Sequence, residues 1–359
     1  MTKTIDTYLA LVRAALWGAQ DIEIPAELNQ EVLQMHMRQG TSTMVFPLLP
    51  MTPAMKMVCV QNMQQHVKLH HTLSLAWNAL EKAGVQAVLM KGASLAAMYP
   101  DPQMRTWGDI DLFVGKDQYH PACAAMRDTF PNALKFDEEL DHYKHYNLIA
   151  DGVSIEIHRV TMGLQHPLDE CRYAKMETDA VAHACDLKIG DLNVRIFEPT
   201  FNALFVLFHS WEHMMTQGAN VRQLCDVALL LHHYAGQIDG TRLKKNLRAL
   251  HLTDVWQLYM WILVNALGLP QAEAPLYTDR VAERAERLLT DLLNNKMVAP
   301  KPTGKAPKNR VLRKFHTMQE RLRDASRMAT YSPAYARHLY ATTLLHGALR
   351  FFAKDRHWE

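Results

Sequence analysis

Apolar and polar residues alternate with two different periods along the chain, and the period changes twice. Residues 1–84 read as helical. "TYLALVRAALWG" and "HVKLHHTLSLAWNALEKAG" place apolar side chains three and four residues apart, and Gly84 is a suitable C-terminal stop. The pattern then shortens. "VQAVLM" has strand length, "ASLAAMY" fits one or two helical turns before Pro100 and Pro102, and "DIDLFVG" reads as a second strand. "DQYHPACAAMRDTF" predicts a helix with Pro121 in its first turn. "YNLIADGVSIEIHRV" holds two alternating runs around Asp151-Gly152, a dipeptide suited to a tight hairpin, and "LKIGDLNVRIF" repeats the pattern around Gly190-Asp191.

Beyond Pro199 the helical period returns in "FNALFVLFHSWEHMM", "VRQLCDVALLLHHY", "DVWQLYMWILVNAL" and "VAERAERLLTDLL". "APKPTGKAPKNR" reads as a Pro/Lys-rich linker, and "SPAYARHLYATTLLHGALRFF" as a closing helix. No internal repeat is visible. The expected plan is α+β: a helical region over 1–84, a small mixed-sheet core over 85–198, and a helical domain over 199–359.

Composition narrows this picture. The chain has 359 residues, a length that favours two domains over one, and is 48% hydrophobic and 21% charged, enough for a substantial core. The formal net charge of +2 supplies no strong basic field, which disfavours long nucleic acid and anionic membrane as partners. Five dispersed cysteines without a C-x-x-C pair argue against a disulfide framework and for a reducing compartment. The first residues lack the basic and long apolar regions of a secretory signal, and no apolar run is long enough to span a bilayer. A cytoplasmic protein with no membrane partner is expected.

The chemistry concentrates in the short-period segment. On a strand, Asp109 and Asp111 share one face, while Ile110, Leu112 and Val114 line mainly the other. Two partly buried carboxylates this close are unfavourable unless a cation neutralises them. Hard oxygen ligands on a rigid strand suit Mg²⁺. In "VSIEIHRV" the side chains of Ser154, Glu156 and His158 share a face. If that strand lies beside "DIDLFV", Glu156 becomes a third carboxylate, and three acidic groups on adjacent strands can hold two metal ions for displacement at phosphorus. A lone D-x-D also describes the solvent-facing edge of an amphipathic strand. Upstream, "VLMKGASL" sets Lys91, Gly92 and Ser94 at a strand-to-helix turn, where a glycine permits close backbone approach and helix amides favour phosphate; a plain helix cap is the alternative.

Taken together, "KGASLAAMY", "RTWGDIDLFV" and "VSIEIHRV" resemble the polymerase-beta-like nucleotidyltransferase superfamily. Within it they are most similar to the bacterial group usually called uncharacterised nucleotidyltransferases. Members carry K-G, R-x-x-G-D-[IL]-D and an E-[IVL]-H strand, and often a helical pattern like "HSWEHMMTQGANVRQLCDVALLL". The likeness covers about residues 85–235. It implies a small mixed-sheet nucleotidyltransferase core flanked by N-terminal and C-terminal helical regions. It also implies Mg²⁺-dependent transfer of a nucleoside monophosphate from a nucleoside triphosphate to an acceptor hydroxyl, with pyrophosphate leaving. Asp109, Asp111 and Glu156 would hold two Mg²⁺ ions, or Mn²⁺. Gly92 and Ser94 would sit against the β- and γ-phosphates, although Ala93 stands where glycine or serine is commoner. Lys91, Arg105 and Gly108 join them as candidate nucleotide-binding positions. The acceptor is open to a small molecule, a protein side chain or an RNA end, the first two being favoured.

Other residues carry alternatives. His158, like His145, either touches substrate or is a polar residue at the sheet margin. Arg222 either reaches base or phosphate or forms an intrahelical pair with Asp226. "HSWEH" fits the H-x-x-E-H zinc-hydrolase pattern, with His209 and His213 one turn apart and Glu283 or Glu286 as a third ligand. A catalytically inactive nucleotide sensor or scaffold is the non-enzymatic alternative. The basic stretch 301–314 is expected to be a solvated linker, since no aromatic residues interleave it to stack on bases.

Overall fold

The computed structural model describes residues 3–18, 29–136, 140, 142–164, 166–216, 218–297 and 309–352. The chain forms two compact units. One comprises Ala10–Gly163 and Ala174–Asn202; the other comprises Met1–Leu9, Leu164–Tyr173 and Ala203–Trp358.

The first unit is the α+β part expected from the pattern. Helices α1 (Lys3–Trp17), α2 (Gln30–Arg38), α3 (Ser42–Val45) and α4 (Pro53–Lys82) lead into β1 (Val88–Met90), and the short α5 (Gly92–Ala96) follows it. Thr52 caps α4 by accepting from the Met55 amide, and Pro53 occupies the first turn, where it removes no intrahelical bond. Then come β2 (Asp109–Phe113), α6 (Gly115–Thr129), β3 (Leu134–Lys135), β4 (His145–Ala150) and β5 (Val153–His158). Together β1–β5 make one mixed sheet, ordered β1-β2-β5-β4-β3. β2 and β5 run parallel; the other neighbouring pairs are antiparallel.

The β4–β5 pairing follows from the alternation. Tyr146, Leu148 and Ala150 face Ile157, Ile155 and Val153 in register, and all six are buried. A one-residue slip would turn this apolar set to the wrong face, so the burial fixes the register. The hairpin turns at Asp151 and Gly152, with φ of 50° and 76°, the left-handed pair that a two-residue turn requires. Helix α7 (Pro167–Ala182), whose residues up to Tyr173 belong to the second unit, precedes a separate two-stranded sheet, β6 (Cys185–Ile189) and β7 (Leu192–Ile196), which turns at Gly190 as the sequence predicts.

Pro121 departs from expectation. α6 already begins at Gly115, so Pro121 lies in the second turn rather than the first. The Val114 amide still donates to the His158 carbonyl at 2.9 Å, and Gly115, at φ 74°, turns the chain straight from the end of β2 into the helix.

The second unit is helical. α8 (Pro199–Thr216) is followed by α9 (Val221–His233), α10 (Gly240–Ala249), α11 (Thr253–Asn265), α12 (Ala282–Leu293), α13 (Arg310–Ala329) and α14 (Pro333–Phe352). Its core includes the fully buried Trp211, Trp256 and Tyr259. Arg284 of α12 grips Asp254 of α11 with two 2.7 Å hydrogen bonds, the bidentate geometry of guanidinium on carboxylate. The expected basic linker falls mostly on residues 298–308, outside the described residues, and its C-terminal part opens α13. Among the described residues no helix is long and apolar enough to cross a membrane.

Candidate active site

Asp111 lies at the centre of a cluster of charged groups in the α+β unit. The parallel β2–β5 register pairs Asp109 with Ser154, Asp111 with Glu156, and Phe113 with His158, while the antiparallel β1–β2 register pairs Asp111 with Met90. Residue 91 follows directly. Lys91 Nζ lies 3.0 Å from Asp111 Oδ1. His158 Nε2 lies 3.0 Å from the same oxygen and 3.1 Å from Glu156 Oε2. Asp111 is 1% exposed, and its second oxygen, Oδ2, is buried without a hydrogen-bond partner.

The electrostatics follow from this packing. Burial alone would raise the Asp111 carboxyl, but the Lys91 charge and the His158 hydrogen bond outweigh it and hold the group far below the usual carboxylate range. Burial disfavours the charged His158, yet its hydrogen bonds to Asp111 and Glu156 raise its pKa. Lys91 behaves alike: burial opposes its charge, and the attraction of Asp111 and Asp109 prevails and raises it. Glu156 is pushed up by burial and pulled down further by His158, ending low. Asp109 moves the other way, raised chiefly by repulsion from Asp111 and then by burial. His145, the register partner of His158 on β4, has its Nδ1 3.9 Å from Glu156 Oε2, and burial lowers its pKa to about 4 despite that carboxylate.

The turn before α5 is held from several sides. Lys91 and Gly92 both have positive φ, 48° and 34°. A side chain at Gly92 would meet Trp107 at 3.1 Å and the Asp109 carbonyl at 3.2 Å, so glycine is required for backbone and space alike. Arg105 is buried and donates to the Gly92 carbonyl at 3.1 Å. Ser94 is also buried, and its hydroxyl donates to the Lys91 carbonyl at 2.7 Å. The hydroxyl thus closes its own turn. Gly108 is exposed with open space where a side chain would start.

Sequence reasoning missed the α4 residues that carry the loop before Asp109. Asn62 donates to the Gln103 carbonyl at 2.5 Å, His66 Nε2 lies 2.7 Å from the Arg105 carbonyl, and Trp107 donates to His66 Nδ1 at 3.3 Å. The available signal is their spacing: Asn62 and His66 stand one turn apart on an otherwise amphipathic helix.

Arg222 belongs to the helical unit, and its Nη1 donates to Asp226 Oδ2 at 3.2 Å, the intrahelical pair that its spacing allows. The rings of His209 and His213 do meet, with centroids 4.4 Å apart. Among the described residues, however, the groups of three that could hold a metal are His145–Glu156–His158 and Asp169–His251–His338. Neither contains a histidine of the H-x-x-E-H motif, so among the described residues no metal-holding group of three supports the zinc-hydrolase reading.

Residues 30–268 match a family model described as "uncharacterised nucleotidyltransferase". The chain belongs to this nucleotidyltransferase family. The matched span contains the whole carboxylate cluster and the chain from α2 to α11. No curated protein matches the chain significantly. Among solved structures, the chain is similar to an antigenic nucleotidyltransferase-like protein from Paracoccidioides brasiliensis, at 16% identity and a TM-score of 0.34, over 57% of this chain and 93% of that one.

Proposed function

We propose that the protein moves a nucleoside monophosphate from a nucleoside triphosphate to an acceptor hydroxyl, releasing pyrophosphate. The observation that carries this reading is the pairing of Asp111 with Glu156 across β2 and β5, with Asp109 two residues upstream on the same strand.

The residues fit the divalent cation that such a reaction needs. The buried, unpartnered Oδ2 of Asp111 is an acceptor in want of a positive partner, and the donor set of three carboxylates is all oxygen. Asp109, Asp111 and Glu156 would hold Mg²⁺, as two ions in this reading, with Mn²⁺ an acceptable substitute. When bound, the metal neutralises charge on the triphosphate and the leaving pyrophosphate.

The remaining work falls to the chain itself. Lys91 adds a fixed positive charge beside Asp111, at the turn that opens α5. Arg105 and Ser94 keep that turn in its strained form. His158 locks Asp111 and Glu156 relative to each other, so the carboxylates need little reorganisation during the reaction. Glu156 is the more exposed member of the register pair and would take the proton of the acceptor hydroxyl. The acceptor in this reading is a small molecule or a protein side chain, consistent with the modest net charge.

Pyrophosphate release, measured with a panel of nucleoside triphosphates and acceptors, tests the proposal. The parent should release pyrophosphate only with Mg²⁺ or Mn²⁺, and Asp109→Asn with Asp111→Asn should abolish release while the protein stays folded. A folded double variant as active as the parent would refute the assignment.

A further inference from the structure

Three side chains from distant segments meet inside the helical unit. Asp169 lies in the first turn of α7, His251 in the link between α10 and α11, and His338 in the second turn of α14. One ligand atom from each lies within 4.8 Å of the other two. His338 Nε2 is 2.5 Å from Asp169 Oδ2, and the rings of His251 and His338 stack with centroids 3.9 Å apart. A third histidine, His166, brings Nδ1 to 3.8 Å from the same Asp169 oxygen. Nucleotidyl transfer uses none of these groups.

Their surroundings hold the cluster in place. Arg172 donates to Asp169 Oδ1 at 3.1 Å and to the Ala249 carbonyl at 3.2 Å, tying the start of α7 to the end of α10 and leaving Oδ2 turned towards the histidines. His251 has a φ of 60°, an unfavourable backbone for a residue with a side chain, and strain of this kind persists where the surrounding structure enforces it. Burial would raise the Asp169 carboxyl, but the hydrogen bond and charge of His338, joined by His166 and His251, together keep it low and ionised. His166, Asp169 and His338 also line a cavity of about 80 Å³, which gives a small solute a route to them.

We propose that His166, Asp169, His251 and His338 form a binding site for a divalent transition-metal ion, with zinc as the favoured occupant. Imidazole nitrogens with one carboxylate are a zinc donor set, whereas Mg²⁺ and Ca²⁺ prefer oxygen alone. Bonds of about 2.0–2.1 Å around a tetrahedral ion bring ligand atoms to roughly 3.3 Å from one another. His251 is exposed, so its ring can turn out of the stack to close the wider span. His338 Nε2 and Asp169 Oδ2 both turn to the ion, the imidazole binding as its Nδ1–H tautomer.

The test is a Co²⁺ titration of the chelator-stripped, full-length protein, followed by the visible ligand-field bands of cobalt and by competition with Zn²⁺. The parent should bind one equivalent with tetrahedral-type bands that zinc abolishes. His251→Gln and His338→Gln should each weaken that binding at least about tenfold, since even outer-shell partners of metal ligands are worth 10- to 100-fold. His145→Gln, which alters the other candidate cluster, should leave the bands unchanged. His251→Gln keeps the His338–Asp169 bond and is at an exposed position, so it carries the test even if His338→Gln fails to fold. Zinc should also raise the melting temperature of the parent and not that of His251→Gln. Absence of bands in the parent, bands indifferent to His251→Gln, or bands lost in His145→Gln would each overturn the proposal.

Discussion

Asp111 and Glu156 are register partners on parallel strands, and a single imidazole nitrogen, Nε2 of His158, reaches both at 3.0 and 3.1 Å. The pairing needs β2 and β5 to be parallel neighbours, an arrangement that two segments more than forty residues apart achieve only through the fold. A carboxylate pair is thus bridged by one shared buried imidazole, with Lys91 as a charged partner of Asp111.

His158→Gln should therefore affect more than packing. Losing the shared imidazole leaves Asp111 buried with Lys91 as its charged partner and should cost about 1–3 kcal/mol of stability. Turnover should fall about 10- to 100-fold, the usual effect of removing a group that orients metal ligands. Denaturant unfolding and pyrophosphate release measure the two effects separately.

Gly92→Ala should be damaging although it adds one methyl group. The residue has a φ of 34°, and the new carbon would press on Trp107 and on the Asp109 carbonyl. The expected loss is about 1–3 kcal/mol, as for other residues held in sparsely populated backbone regions. Activity should drop further than stability accounts for, because relief of the clash displaces Asp109.

Ser94→Ala separates the structure from the family resemblance. Its hydroxyl donates to the Lys91 carbonyl, so its removal should cost about 1 kcal/mol, the typical worth of one hydrogen bond. The KM for triphosphate should stay within about threefold of the parent. A much larger rise in KM would restore Ser94 as a phosphate contact.

Acid stability has a distinct contribution from His36, which is buried on α2 with Nδ1 2.9 Å from Thr41 Oγ1. Burial lowers its pKa from 6.5 to about 3. The unfolded chain therefore binds a proton that the folded one refuses, and stability is lost as pH falls from about 6.5 towards 3. A single such proton gives a slope of up to about 1.4 kcal/mol per pH unit. Unfolding free energies of the parent and of His36→Gln between pH 7 and 4 should converge as pH falls, because the acidic carboxylates are common to both. Parallel curves would show that His36 does not titrate in this way.

Much of the α+β unit is legible from local patterns. Alternation around Asp151-Gly152 marks β4 and β5, and the two-residue spacing of Asp109 and Asp111 marks their common face. Glu156 and His158 are legible on the same grounds. The left-handed backbone of Lys91 is not, because that residue type gives no sign of positive φ. The support of the 103–107 loop by Asn62 and His66 is also invisible, since α4 reaches it from about forty residues away. Helix α13 is masked by its basic opening, which reads as linker, and Pro121 misleads because its helix starts earlier than a proline suggests. The Asp169–His251–His338 cluster has no local signature at all; its members are separated by more than eighty residues and meet only through the packing of the helices.

The most direct measurement is a crystal structure of the protein with Mn²⁺ and a nonhydrolysable nucleoside triphosphate, read at the manganese anomalous signal. Manganese should be bonded to Asp109 and Asp111 beside the phosphates, with Glu156 facing it. A triphosphate bound elsewhere, or manganese absent from these aspartates while Lys91 and His158 keep Asp111 for themselves, would contradict it.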